Sequence, residues 1–131
     1  MDGGQISRWF GQYLEAFALC GKGEADTAVL LRYYGVPLLL TTDDAFFSLT
    51  SSSQVVAVLQ GQIDGLRAGH YARSQTLSSE VILLNSRSAL YKGTFSRQRA
   101  DGEEINRVSA TYLVTEGSEG PRISLLAFQS R

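Results

Sequence analysis

His70 is the only side chain of this sequence that titrates near neutrality unperturbed. It follows Gly69 at the end of a helical stretch, where the helix dipole favours its charged form and a partly exposed cap is the simplest expectation. With its ring turned inward beside Tyr71, it would instead be the best general acid or base the sequence offers. Asp43-Asp44 supplies two carboxylates, but they stand where the chain has to reverse, and a solvated turn accounts for them. Arg97, Arg99 and Arg107 gather near Asp101-Gly102. They read as a solvated hairpin end with Glu103 and Glu104 as partners, or as a mouth that binds carboxylates. Cys20 is alone, which excludes an internal disulfide and any multi-cysteine metal site; within a helix it reads as buried apolar filling. No Ser-His-Asp spacing, Gly-rich phosphate loop or His/carboxylate cluster is present, so neither a metal nor another cofactor is expected.

These groups need a scaffold, and bulk properties limit it. A length of 131 residues suits one domain over 1–131, with room for a real core. Apolar content is 44% and charged content 19%, as in ordinary globular chains. A net charge of −1 points to neither nucleic acid nor an anionic membrane. Met1-Asp2-Gly3-Gly4 lacks the pattern of a signal peptide, and no apolar run approaches the ~20 residues of a membrane span. A cytoplasmic protein is the expectation.

Ile6, Phe10, Tyr13, Leu14 and Phe17 recur at helical spacing, with Trp9 and Cys20 at the edges of the stripe, and Gly21 and Gly23 close that helix. Asp26 or Thr27 can cap a second, shorter helix running through Tyr33 and Tyr34, stopped by Gly35 and Pro37. Leu38 to Thr42 and Ala45 to Leu49 read as a strand pair around Asp43-Asp44. Ser51 to Ser53 offers caps for a third helix, whose stripe is Val55, Val56, Leu59, Ile63 and Leu66. Beyond Tyr71 helical periodicity is lost, and strands are expected at about 72–84, 88–99, 105–115 and 122–129.

Asp101-Gly102 sets the register of the closing meander. A two-residue hairpin turn there, with positive φ at both positions, makes Phe95 face Val108, Gly93 face Ala110, Tyr91 face Tyr112 and Ala89 face Val114. Pairing Val114 with Ile123 then sets Leu125 beside Tyr112 and Ala127 beside Ala110. Gly93, Ala110 and Ala127 thus form a row of small residues flanked by Tyr91, Tyr112, Leu125, Phe95 and Val108. Such a row means a closely packed helix, a bend at Gly93, or a cavity walled by aromatics that suits an apolar molecule with one or two polar groups.

The order helix, helix, strand pair, helix, four-stranded meander resembles the NTF2-like superfamily, which includes SnoaL-like proteins and ketosteroid isomerases. Gln12 to Phe17, Leu31 to Tyr34, Asp101-Gly102 with Arg107 to Tyr112, and Gly120 to Ile123 look like the corresponding family segments. The resemblance implies an α+β, cystatin-like cone of order α-α-β-β-α-β-β-β-β, with three helices from the N-terminal half on a curved, mostly antiparallel sheet. It implies an interior pocket to which Tyr13, Tyr34, Tyr91, Gly93, Phe95, Ala110, Tyr112 and Ala127 would contribute. It also implies homodimers through the open sheet face, here carrying Leu90, Leu113, Leu126 and Phe128. Isomerase or cyclase chemistry in such a cone would use Tyr13 with Asp43 or His70. The strand that holds the isomerases' acid donor has no carboxyl group in Val108 to Tyr112. A surface interaction module is the third reading.

Overall fold

The computed structural model describes residues 1–130. Helix α1, Gly3–Gly21, starts at a capping box. Asp2 Oδ1 accepts from Gln5 N at 2.9 Å, and Gln5 Oε1 accepts from Asp2 N at 2.9 Å. The box satisfies amides that have no partner within the helix. Ile6, Phe10, Tyr13, Phe17 and Cys20 are buried along the predicted stripe, with Trp9 and Leu14 partly buried beside it. Helix α2, Ser52–Ala68, is capped by Ser51, whose hydroxyl accepts from Gln54 N at 3.2 Å, and it buries Val55, Leu59, Ile63 and Leu66. The helix expected between them is a 3-10 helix over Thr27–Arg32, capped by Asp26. Tyr33 and Tyr34 lie outside it. The run is too short for α-helical propagation, and Ile123 N donates to Tyr33 O at 2.7 Å, drawing the chain into the sheet. No helix among the described residues is long and apolar enough to cross a membrane.

The strands are β1 Tyr34–Thr41, β2 Phe46–Leu49, β3 Tyr71–Asn85, β4 Ser88–Arg99, β5 Glu104–Gly117 and β6 Gly120–Ser130. They form one unclosed sheet of order β2-β1-β6-β5-β4-β3, antiparallel except where β1 meets β6. The architecture is the predicted α+β cone. β1 begins four residues earlier than the predicted Leu38, running back through Pro37 and Gly35 to Tyr34.

The β4–β5 register is the predicted one: Phe95 opposes Val108, Gly93 opposes Ala110, Tyr91 opposes Tyr112 and Ala89 opposes Val114. The turn itself differs. Arg99 N donates to Glu103 O at 2.9 Å across a loop of Ala100, Asp101 and Gly102, and of these only Gly102 has positive φ, at 89°. This is the three-residue hairpin that ends in a left-handed glycine. The strands recover their register by a bulge, because Arg97 opposes Asn106 while Gln98 opposes Glu104, leaving Ile105 as the extra residue.

The β5–β6 register departs from expectation after its first pairs. Val114 opposes Ile123, but Leu113 opposes Leu125, Tyr112 opposes Leu126 and Ala110 opposes Phe128. Ser124 is the bulged residue. Strict alternation would have buried Ile123, Leu125 and Ala127; the bulge buries Ile123 and Leu126 and turns Phe128 inward instead, gaining the larger side chains for the core. Ala127 therefore stands on the outer face opposite Thr111, and the row of small residues stops at Ala110. Leu126 and Phe128 leave the outer face to which they were assigned. Over Gly93 the space is filled from within the strand: a Cβ added there would lie 2.5 Å from Phe95 Cζ.

Candidate functional site

Helix α1 lays its aromatic stripe on the inner face of β4, β5 and β6. The Phe10 ring stacks on Tyr91 with centroids 3.7 Å apart, and meets Tyr112 and Tyr13 edge-on at 4.7 and 5.1 Å. One turn further along, the Tyr13 hydroxyl hydrogen-bonds the Tyr34 hydroxyl at 2.5 Å. Beyond this pair lies a hollow of about 20 Å³, walled by Tyr13, Phe17, Tyr34, Phe95, Arg97, Tyr112 and Leu126 and rimmed by Leu14, Gln62, Ser74 and Phe128. That volume holds about one water molecule.

Four of the predicted ligand-binding residues, Tyr13, Tyr34, Phe95 and Tyr112, meet at this hollow. Tyr91, Gly93 and Ala110 share its face of the sheet without lining it, and Ala127 is on the opposite face. The three catalytic candidates do not converge. Tyr13 is buried, whereas Asp43 and His70 are exposed. Asp43 borders a trough on the outer face. His70 takes φ 61°, the left-handed position that ends a helix, which glycine usually fills. Its backbone reverses the chain after α2 and its ring plays no part inside. The hollow is lined by neither a carboxylate nor a histidine among the described residues.

Burial holds the hydroxyls of Tyr13, Tyr34 and Tyr112 well above the ordinary phenol range. The nearby Arg97 charge pulls each of them back in part. All three are therefore neutral donors at any physiological pH.

The arginine trio is split. Arg99 pairs with Glu103 at 3.0 Å and Arg107 with Glu104 at 3.1 Å, as a solvated hairpin end should. Arg97 turns inward and is 8% exposed. Its guanidinium carbon lies 5.3 Å from the Phe17 ring centre and 5.7 Å from that of Phe128. The sequence did carry this signal. Phe95 was placed on the core face, and a strand returns residue i+2 to the same face. Gln62 and Ser74 join the site from α2 and β3, and nothing in their local pattern marks them.

A far larger concavity lies elsewhere. It is an open trough of about 720 Å³ on the outer face, with Ser78, Lys92, Thr94, Ser109 and Thr111 among its walls. Its ionisable groups, Asp43, Glu80 and Lys92, are all exposed. Chemistry is better sought in the hollow, where polar groups converge away from water. Among the described residues no group of three or more His, Cys, Asp or Glu is placed to hold a metal ion.

The model of a family described as NTF2-like protein (DUF6841) matches residues 3–130. Solved structures share the fold. A protein from Xanthomonas campestris, assigned as a calcium/calmodulin dependent protein kinase II association domain, has a TM-score of 0.72 at 13% identity, covering 100% of this chain and 89% of its own. An NTF2-like protein with a cystatin-like fold from Novosphingobium aromaticivorans has 0.71 at 14%, covering 95% and 79%. A domain of unknown function with a cystatin-like fold from Nostoc punctiforme has 0.68 at 20%, covering 99% and 77%. No curated protein matches the chain.

Proposed function

Since this chain belongs to the NTF2-like family DUF6841, whose model spans residues 3–130, we propose that it works by enclosing a small, largely apolar molecule between α1 and the inner face of its sheet. The observation behind this reading is the convergence of three tyrosine hydroxyls and Arg97 on one hollow in an otherwise apolar core. Buried polar groups are costly, and a fold that needed only stability would have filled the space with hydrocarbon. The hollow has room for about one water molecule. Leu14 and Phe128, both partly exposed, form its lip, and rotation of the Phe128 ring is the simplest way in. Phe128→Ala enlarges the site without touching the tyrosines. A thermal-shift panel of apolar acids and ketones is expected to contain a compound that raises the melting temperature of the wild type and, more strongly, of Phe128→Ala. At one hundred times its dissociation constant such a compound adds about 2.7 kcal/mol, or roughly 10 °C. A panel that shifts neither protein removes the reading.

A second copy of the chain is the partner we assign to the outer face. Ile82, Leu90, Leu113, Leu125 and Leu39 align there, one on each of β3, β4, β5, β6 and β1. All five are partly exposed. A continuous aliphatic row bordered by serines and threonines has the make-up of an interface centre with a polar rim. Light scattering at rising concentration should give twice the 14.3 kDa chain mass, and Leu113→Glu should return it to the monomer. A wild type that stays monomeric at several hundred micromolar contradicts the assignment.

A further inference from the structure

Arg97 differs from the other arginines among the described residues in being buried. Arg67, Arg99, Arg107 and Arg122 all donate hydrogen bonds to carbonyls or carboxylates. Arg97, although 8% exposed, donates to no acceptor and meets no carboxylate among the described residues. The two glutamates nearest in sequence are taken by Arg99 and Arg107. What surrounds Arg97 is aromatic, with Phe17 on one side and Phe128 on another. Cation–π contact repays part of the cost of burying the charge, but it uses none of the five N–H donors. Opposite Arg97 in register, Asn106 Oδ1 is buried with no donor, but it is a single acceptor against five N–H groups. The Tyr13–Tyr34 pair adds to this imbalance. Two hydroxyls share one mutual hydrogen bond, so one hydroxyl hydrogen is left to give.

The donors of Arg97 and of the tyrosine pair, with a positive charge that meets no carboxylate among the described residues, define by chemistry the group the hollow would take. It carries one negative charge, accepts at least two hydrogen bonds and is small. We infer that the molecule this hollow takes, once the Phe128 ring swings aside, is a monocarboxylate, its carboxylate seated on Arg97 and its apolar body among Phe17, Phe95 and Leu126. The inference rests on the pocket reading above and adds the ligand's charge and anchor. A guanidinium offers a planar fork that matches the two oxygens of a carboxylate. A phosphate dianion would need a second cation, and the lining has none among the described residues. The neutral phenols stay protonated and so add donors, not a competing charge.

The test compares benzoate and 4-methylpentanoate with their primary amides, by calorimetric titration and thermal shift in a buffer free of carboxylates. The proteins are the wild type, Phe128→Ala, Arg97→Met and Arg97→Lys. At least one carboxylate is expected to bind wild type or Phe128→Ala ten times or more tighter than its amide. Arg97→Met should abolish that preference while still taking the amide, and Arg97→Lys should keep the preference in weakened form. Without ligand, Arg97→Met should melt at the wild-type temperature or a few degrees above it, because it removes a largely buried charge that meets no carboxylate among the described residues. If Arg97 were merely structural, the same change would lower the melting temperature and leave discrimination untouched. Amide and carboxylate binding equally well would overturn the inference while leaving the pocket standing. Failure of every probe on both wild type and Phe128→Ala would remove the pocket as well. Should Arg97→Met not fold, the lysine variant decides: undiminished preference for the carboxylate there counts against the guanidinium as anchor.

Discussion

Phe10→Ala is expected to lower the stability of this protein by about 4 kcal/mol, the middle of the range for deleting a fully buried phenylalanine ring. Phe10 is 0% exposed and is the ring through which α1 is seated on the sheet. Its face lies on Tyr91 at 3.7 Å with an interplanar angle of 11°, and its edges meet Tyr13, Tyr112 and Trp9. Removing it takes away the transfer free energy of the ring and leaves a void bounded by strands that cannot collapse onto α1. Domains of this size have about 5–15 kcal/mol in total, so the variant should sit near the edge of folding at 37 °C. Phe10→Leu should cost roughly a third as much, because most of the volume remains. The check is the midpoint of urea unfolding for the three proteins. A loss under about 1.5 kcal/mol for alanine would mean that α1 is not anchored where this ring places it.

The second large effect is on the alkaline side. Tyr13, Tyr34 and Tyr112 have their ionisation pushed up, first by burial and then by one another's proximity. In the unfolded chain they ionise near pH 10. The folded state thus holds protons that the unfolded state has already lost. Stability changes with pH in proportion to protons bound unfolded minus protons bound folded, and here that difference is negative. The contribution is intact below about pH 10 and falls as pH rises beyond it, by up to about 1.4 kcal/mol per pH unit for each tyrosine. Three of them together remove about 4 kcal/mol per unit at full slope, so cooperative unfolding is expected within roughly one to four units above pH 10. Absorbance at 295 nm should show these three phenols ionising only with loss of the near-ultraviolet circular dichroism. Smooth titration of all six tyrosines while the fold persists would contradict the packing of this cluster. Tyr13→Phe should shift the transition upward in pH. It removes one titrating group but leaves the Tyr34 hydroxyl without its bond, which lowers stability at neutrality.

Element types and most burial were legible because they depend on neighbours a few residues away. The stripe from Ile6 to Cys20, the Ser51 cap, and the facing of Tyr91 with Tyr112 follow from helical spacing, capping chemistry and alternation about one hairpin. The site was legible in part. Tyr13, Tyr34, Phe95 and Tyr112 of the hollow's lining are legible in the sequence, and Arg97 is within reach through its relation to Phe95. Asp43 and His70 drew notice for their ionisable groups, yet the turn and the helix end they occupy keep both at the surface. Chemical capacity without a direction is a weak guide, because the backbone decides which way a side chain points before its chemistry matters.

What the chain by itself determined is periodic: which residues share a face, where helices begin, and which strands oppose one another across a short turn. Only the tertiary structure decided the matters that depend on competition between distant side chains. The bulge at Ser124 exists because Leu126 and Phe128 outweigh Leu125 and Ala127 once α1 and β1 offer them a core to enter. The space above Gly93 belongs to Phe95 because a ring can fold back over a residue that has no side chain. Arg97 meets no carboxylate among the described residues because the two glutamates nearest in sequence, Glu103 and Glu104, are held by Arg99 and Arg107. Each outcome compares free energies of packing between groups far apart in the sequence, and no local pattern contains that comparison.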